Sequence, residues 1–192
     1  MSFDFRPLAP ETWPAYAELV ERNRGVWGGC WCMAFHPEGI GQKGQTPTGN
    51  RAAKEARVIA GTTHAALVLQ DQTCLGWCQY GPTAELPRIK NRKAYEAGLT
   101  TARLPDWRIT CFFVDPAHRR RGVADAALAG AVALIAKTGG GQVEGYPDAP
   151  MGRTSASFLF NGTMASFERQ GFTRNRQIGK TRWVMARDVA AA

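Results

Sequence analysis

Three consecutive arginines, Arg119, Arg120 and Arg121, run into Gly122, Val123 and Ala124, directly after the apolar run Ile109-Thr110-Cys111-Phe112-Phe113-Val114. The order is that of a buried strand, a short basic loop and the start of a helix. A helix start carries unpaired N–H groups and the positive end of the dipole, so it favours anions. Gly122 lacks a Cβ and lets the main chain come close to one. The guanidinium groups add fixed charge and paired donors. A pyrophosphate suits such a seat. A second candidate group is Gln142, Glu144 and Tyr146, which alternate onto one face of a short strand with Val143 and Gly145 on the other. A central strand covered on both sides is apolar on both, so a polar face predicts a wet cleft. There Glu144 would accept a proton and Tyr146 would return one. A hydrogen-bonded structural pair at the sheet end is the other reading.

The spacing Arg119-x-x-Gly122-x-Ala124 resembles the acyl-CoA loop of the GNAT acetyltransferases, where Gln/Arg-x-x-Gly-x-Gly/Ala joins the central strand to the next helix. Phe167-Glu168-Arg169-Gln170-Gly171-Phe172 is similar to that family's second landmark, an aromatic-Glu-x-x-Gly-Phe sequence ending a late helix. The resemblance spans Phe3 to Arg187. It implies a single α/β domain over residues 1–192, with a mixed central sheet, splayed central strands and helices on both faces. It also implies an N-acetyltransferase that moves an acetyl group from acetyl-CoA to a primary amine by direct attack in a ternary complex.

By the same resemblance, Phe112, Phe113 and Val114 form the strand edge whose main chain pairs with the pantetheine arm. Arg119, Arg120, Arg121, Gly122, Val123 and Ala124 form the pyrophosphate loop. The acceptor pocket would come from the loop after the first helix and from the segment before the central strand, with Trp27, Trp31, Phe35 and His36 as walls. Two departures stand out. Many members carry a tyrosine where this chain has Phe167, and a glutamate on the central strand where Trp107-Arg108-Ile109-Thr110 has none. The usual acid and base therefore do not carry over, which leaves Glu144 and Tyr146. A non-catalytic acyl-CoA-binding sensor is the competing class.

The chemistry explains why those groups matter. The thioester must lie beside the amine, the oxyanion needs a donor, and the amine must lose a proton. The donor expected from the resemblance is a main-chain N–H near Phe113–Val114. A lysine-like amine with a pKa of about 10.4 is neutral in fewer than about one molecule in a thousand at pH 7, so a proton path helps.

Composition frames these readings. A chain of 192 residues with 44% hydrophobic residues can form one domain with a proper core. The net charge of +8 favours anionic partners, and CoA is itself a polyanion. The positive charges are dispersed apart from Arg119–Arg121 and the group Arg88, Lys90, Arg92 and Lys93, which would suit an acidic acceptor. Nucleic acid is disfavoured, because charge alone is not a binding fold. The N-terminus has no basic start with an apolar core, and no apolar run is long enough to span a membrane, so a cytoplasmic enzyme is expected. A homodimer is left open.

Other motifs lack their context. Gly39-Ile40-Gly41-Gln42-Lys43-Gly44 matches a dinucleotide fingerprint by letter but has no strand before it. Cys30-Trp31-Cys32 with His36 invites zinc, yet structural zinc takes two separated pairs of ligands with wider spacing. Cys74 and Cys78 are expected on one strand face as small apolar residues. No metal is expected, and the five cysteines are expected reduced.

The elements that must position these residues follow from periodicity. Phe3–Leu8 predicts a strand, Glu11–Arg24 a helix, and Gly25–Asn50 a long aromatic-bearing loop of the kind compact domains keep for function. Asn50 would cap a helix over 51–60. Ala65–Gln70 and Thr73–Tyr80 predict a hairpin. A short helix near Asn91–Ala97 precedes the strand Trp107–Val114, a helix over 122–138 and the strand Gln142–Tyr146, a right-handed crossover unit. In that helix Ala124, Ala127, Leu128, Ala131, Leu134 and Ile135 share a face. A helix over Thr163–Gln170 and strands Phe172–Ile178 and Thr181–Arg187 end the chain.

Overall fold

One seven-stranded sheet organises the chain, seen in a computed structural model that describes residues 3–40, 45–99, 103–149, 152, 155 and 158–192. The strands are β1 (Asp4–Pro7), β2 (His64–Gln70), β3 (Thr73–Pro82), β4 (Trp107–Val114), β5 (Gly141–Gly145), β6 (Thr173–Gln177) and β7 (Trp183–Val189). They lie in the order β1-β2-β3-β4-β5-β7-β6, antiparallel throughout except where β4 and β5 run parallel. The helices are α1 (Trp13–Arg22), α2 (Pro47–Ile59), α3 (Arg92–Ala97), α4 (Val123–Lys137) and α5 (Met164–Arg169), with a 3₁₀ turn at Pro116–His118. None is long and apolar enough to cross a membrane.

Two apolar clusters sandwich the sheet. On one face Trp13, Tyr16, Leu19 and Val20 of α1 and Val58 of α2 pack on Leu67, Trp77 and Phe113. On the other, Ala127, Leu128, Ala131 and Ile135 of α4 pack with Phe167 of α5 on Val68, Ile109, Phe112 and Val143. The predicted α4 stripe is rotated slightly. Val123 and Val132 are buried, whereas Ala124 and Leu134 are only half-buried. Gly130 lies where a Cβ would come within 2.9 Å of the Phe5 ring, so β1 rests directly on the helix backbone.

The sheet differs from strict alternation at two bulges, each an extra residue that turns the strand. In β3 the pairing passes from Val68↔Gly76 to Leu69↔Cys74, leaving Leu75 extra. Cys74 and Cys78 therefore end on opposite faces, one in each apolar cluster, and not on the single face expected. In β4 the pairing passes from Cys111↔Gln79 to Ile109↔Tyr80, leaving Thr110 extra. The predicted helix cap also moves. α2 begins at Pro47, with Thr46 Oγ1 accepting from Gly49 N–H at 3.0 Å, while the Asn50 side-chain amide donates to Gly29 O at 2.8 Å. A proline at the first helical position, preceded by threonine, outcompetes the asparagine.

The central strands splay. β4 and β5 share three residue pairs, Trp107↔Val143, Arg108↔Glu144 and Ile109↔Gly145, and then separate. The freed edge of β4 is met from the segment before α5. Asn161 Nδ2 donates to Thr110 O, and Phe112 N–H donates to Phe160 O at 2.6 Å. Under the fork, the wholly buried Phe167 ring lies 6.0 Å from Phe112 and 5.0 Å from Phe172, edge to face with both. A Cβ on Gly145 would stand well inside contact distance of that ring. Gly145→Ala should thus overpack a site that cannot relax, costing about 1–3 kcal/mol. The check is a fall in the thermal or denaturant midpoint, and an unchanged midpoint would refute the packing argument.

Candidate functional site

The loop after β4 folds as its sequence dictates. Asp115 Oδ1 accepts from Ala117 N–H at 3.0 Å and starts the 3₁₀ turn, while Asp115 Oδ2 pairs with Arg22 Nε of α1 at 2.9 Å. These contacts hold the Asp115 carboxyl below the usual range against the opposing effect of its burial. Arg120 and Gly122 both have positive φ, 60° and 83°, and Arg121 between them does not. Alternating handedness of this kind turns successive N–H groups toward one concave point. The first bond into α4 runs from Ala126 N–H to Gly122 O at 2.9 Å, so the N–H groups of the turn before it are left for a ligand.

This loop borders a cavity of about 850 Å³. Phe112, Phe113, Val114, Arg119, Arg120, Gly122, Val123 and Ala124 line it, with Gly162, Thr163, Ser166 and Arg169 opposite. Arg121 is exposed and is not in the wall. Among the described residues the one acidic lining residue, Asp125, is paired with Arg169 at 2.8 Å. The cavity is therefore cationic. The sequence gives no sign that α5 borders this cavity, although Thr163-Met164-Ala165-Ser166 carries a cap signal. Thr163 Oγ1 accepts from Ser166 N–H at 3.3 Å, which fixes the two hydroxyls that face the cavity.

Strand alternation decides which edge groups of β4 are open. Residues 110, 112 and 114 point toward the fork, because the Thr110 carbonyl and the Phe112 N–H are both bonded there. Val114 O accepts from Arg119 Nε at 3.3 Å. Phe112 O, which takes the Cys111 thiol at 4.0 Å, and Val114 N–H are an acceptor and a donor along the cavity wall.

A second cavity, of about 730 Å³, lies on the α1/α2 side of the fork. Its walls include Trp27, Phe35, Ile40, Phe158 and Phe160, with Cys30 and Cys111 at its floor and Arg88, Lys90 and Arg92 at its rim. No carboxylate lines it among the described residues. Trp27 belongs to both cavities. Its ring stands edge-on to Phe113 at 5.8 Å and to Phe160 at 5.7 Å. The loop that presents it is strained, since Val26 (φ 49°) and Trp27 (φ 46°) are left-handed without being glycine.

Of the four expected pocket walls, Trp27 and Phe35 are in this cavity, and Trp31 and His36 are not. Trp31 is buried between Trp13, at 5.9 Å between centroids, and Tyr16, at 6.4 Å, with the Arg51 guanidinium over its ring. It braces α1 against α2. His36 is wholly buried, and its Nε2 meets Gln79 Nε2 at 3.0 Å, Thr63 Oγ1 at 3.1 Å and the buried Lys54 Nζ at 3.4 Å. Burial, then the charges of Lys54 and Arg57, pushes the His36 imidazole down to about 2.

Glu144 and Tyr146 also lie apart from both cavities. They face α3, where Glu144 Oε2 accepts from Tyr95 OH at 2.8 Å and from Tyr146 OH at 3.0 Å. Arg176 Nη1 stands 3.9 Å from Oε1. The expected wet cleft is instead a small closed cluster of Tyr95, Tyr146, Ile178 and Val184. Burial pushes the Tyr146 phenol well up, so it stays protonated. Alternation identified the shared face correctly but not its cover, because α3 is only six residues long and its Tyr95 is the buried residue.

The five cysteines are free thiols, all buried. Cys32 Sγ accepts from Trp77 Nε1 at 3.1 Å. Among the described residues no group of three or more His, Cys, Asp or Glu is arranged to hold a metal. Positions 41–44 of the glycine-rich Gly39–Gly44 stretch lie outside the described residues.

Known structures share this architecture. A GNAT-family protein from Desulfovibrio desulfuricans, described as an acetyltransferase, is 19% identical over 98% of this chain and 100% of its own, with a TM-score of 0.56. NAA60 of Arabidopsis thaliana, solved with acetyl-CoA, is 12% identical over 98% of this chain and 99% of its own, at 0.53. A phosphinothricin acetyltransferase of Sinorhizobium meliloti, also with acetyl-CoA, is 14% identical over 99% of this chain and 90% of its own, at 0.53. No protein-family model and no curated protein matches the sequence. At these identities the likeness establishes the fold.

Two predictions follow from the geometry of the loop and of the buried imidazole. Gly122→Val places a β-branched residue at φ 83°, which distorts the helix start. CoA should then lose most of its advantage over dephosphorylated pantetheine in calorimetry, and an undiminished advantage would refute the anion seat. For His36, the unfolded imidazole takes a proton near its ordinary value of 6.5 while the folded one stays neutral down to about 2. The stability that the neutral imidazole supports is present above 6.5 and is lost as pH falls toward 2. Urea midpoints measured from pH 7 to pH 4 should therefore fall less steeply in His36→Gln than in the parent chain.

Proposed function

We propose that this GNAT-fold chain is an acetyl-CoA-dependent N-acetyltransferase, with CoA in the cationic cavity and a primary amine in the apolar one. The observation that carries the proposal is the junction of the two cavities at Trp27, beside Phe112 and Val114 of the β4 edge. An extended amide-bearing chain lying on that edge would bring its thioester end to the mouth of the second cavity. Its diphosphate end would reach the Arg119–Ala124 loop. In this arrangement Val114 N–H would receive the negative charge that grows on the thioester oxygen.

Proton handling in this proposal rests on the cavity and not on a dedicated base. Apolar walls disfavour the ammonium form of a bound amine, and so do Arg88, Lys90 and Arg92 at the rim. The amine is thereby bound neutral, its proton left to water. Fixing it against the thioester supplies the remaining acceleration. The buried Glu144 carboxylate then serves as an anchor for α3, the helix that begins with Arg92.

Incubation with acetyl-CoA and a panel of amines, with free thiol measured, tests the activity. Amine-dependent thiol release supports it. Tight acetyl-CoA binding with no amine-dependent release would favour the sensor reading, the main competitor because no carboxylate lines the cavity among the described residues and position 167 carries no hydroxyl. Glu144→Gln tests the proton path. Weakening charged hydrogen bonds to Tyr95 and Tyr146 should cost about 1.5–3 kcal/mol of stability, with turnover within about threefold of the parent. A loss of about 10²-fold or more, with acetyl-CoA affinity intact, would instead make Glu144 the base.

A further inference from the structure

The rim of the acceptor cavity holds a cation, Lys90, that no carboxylate among the described residues ion-pairs. Lys90 Nζ lies 4.4 Å from the centroid of the Phe160 ring. Arg182 stands close enough to act on it but is itself taken up by Asp148 at 2.6 Å. Burial first, and then Arg182, draws the Lys90 ammonium below its ordinary range, with Asp148 acting the other way. Two further cations share the rim. Arg92 is paired with Glu96 at 2.6 Å, and Arg88 is oriented by its Nε donating to Pro37 O at 3.1 Å. Below them the walls are aromatic and aliphatic, from Trp27, Phe35 and Phe160.

Such a site has complementary demands at its two ends. Lys90 is exposed, so its ammonium rests on the aromatic face with one side open to a second, anionic partner. The aromatic walls gain from a flat or branched apolar body that displaces water. A polyamine or a lysine-rich peptide would bring positive charge to a rim that already carries three cations. We infer that the acceptor is a small amine bearing a carboxylate and an apolar or aromatic body, an aromatic α-amino acid being the simplest example. In this arrangement the carboxylate lies on Lys90, with Arg88 and Arg92 flanking it, and the body lies between Trp27, Phe35 and Phe160. The amine then points past Trp27 toward the β4 edge.

This inference rests on the acetyl-transfer proposal, so its test includes a readout that needs no turnover. Binding of phenylalanine, of phenethylamine (the same molecule without its carboxylate) and of spermidine is measured by calorimetry, with and without CoA. Thiol release from acetyl-CoA is measured with the same three amines. Phenylalanine should bind at least tenfold more tightly than phenethylamine, spermidine should not compete, and kcat/KM should follow the same order. Lys90→Met keeps the aliphatic stem on Phe160 and removes the charge, so it should shrink the preference for phenylalanine over phenethylamine by tenfold or more. Equal binding of phenylalanine and phenethylamine, preferential binding of spermidine, or a preference undiminished in Lys90→Met would each overturn the inference. Tight phenylalanine binding with no thiol release would keep the ligand class inferred for the cavity and overturn the acetyl-transfer proposal, and with it the ligand's role as acceptor.

Discussion

The parting of β4 from β5 is the constraint on which the rest of the site depends. Backbone groups freed from a buried sheet must find other partners, and here they do so in two different ways. Thr110 O and Phe112 N–H are met from inside the molecule by Asn161 and Phe160. Phe112 O and Val114 N–H, farther along, are left facing a cavity. The parting itself has local causes on both strands. Thr110 is the extra residue of a bulge, which bends β4 at the point where its pairing with β5 stops. On the other strand, Gly145 is the last paired residue, and the Phe167 ring occupies the space its side chain would need. A bulge and a glycine thus open the sheet where a ligand can use it.

Much of this order was legible in the sequence. The span of β4 is legible because its mainly apolar run ends at Asp115-Pro116. α4 was read within one residue at each end because glycines bracket it. The basic loop was legible because its chemistry is local, with strand, arginines, glycine and helix start all contiguous. The apolar cavity proposed for the acceptor is only half legible. Trp27 and Phe35 were singled out by their place in a glycine-rich loop, but the same argument included Trp31 and His36, whose partners come from distant elements. Trp31 is claimed by Trp13, Tyr16 and Arg51, and His36 by Lys54, Thr63 and Gln79. Periodicity within a loop does not tell which aromatic turns inward.

Alternation had a similar limit. It correctly placed Glu144 and Tyr146 on one side of β5, but it could not show that Tyr95 of a six-residue helix would close over them. It failed outright for Cys74 and Cys78, since the bulge at Leu75 reverses the parity between them. Both misses arise from long-range packing, in which a residue's environment is set by an element tens of positions away.

The substitution of phenylalanine at position 167 is explained by the same packing. Its ring is enclosed by Phe112, Phe172 and the Gly145 backbone, so a hydroxyl there would be buried among carbon atoms at a cost in stability. On the proposed reading, a site without that acid, and with no carboxylate lining the apolar cavity among the described residues, would have to obtain a neutral amine by other means. Acceptor chemistry makes this easier for some amines than for others. A lysine-like amine is almost wholly protonated at pH 7, whereas an α-amino group with a pKa of about 7.7–8.0 is neutral to roughly a tenth. In a free amino acid the neighbouring carboxylate holds the amine's pKa above that of a peptide terminus, through simple charge attraction. Pairing that carboxylate with Lys90 would cancel the effect while the apolar walls act in the same direction. The rim cation would then bind the acceptor and lower the barrier to deprotonating it, which removes the need for a base at Glu144.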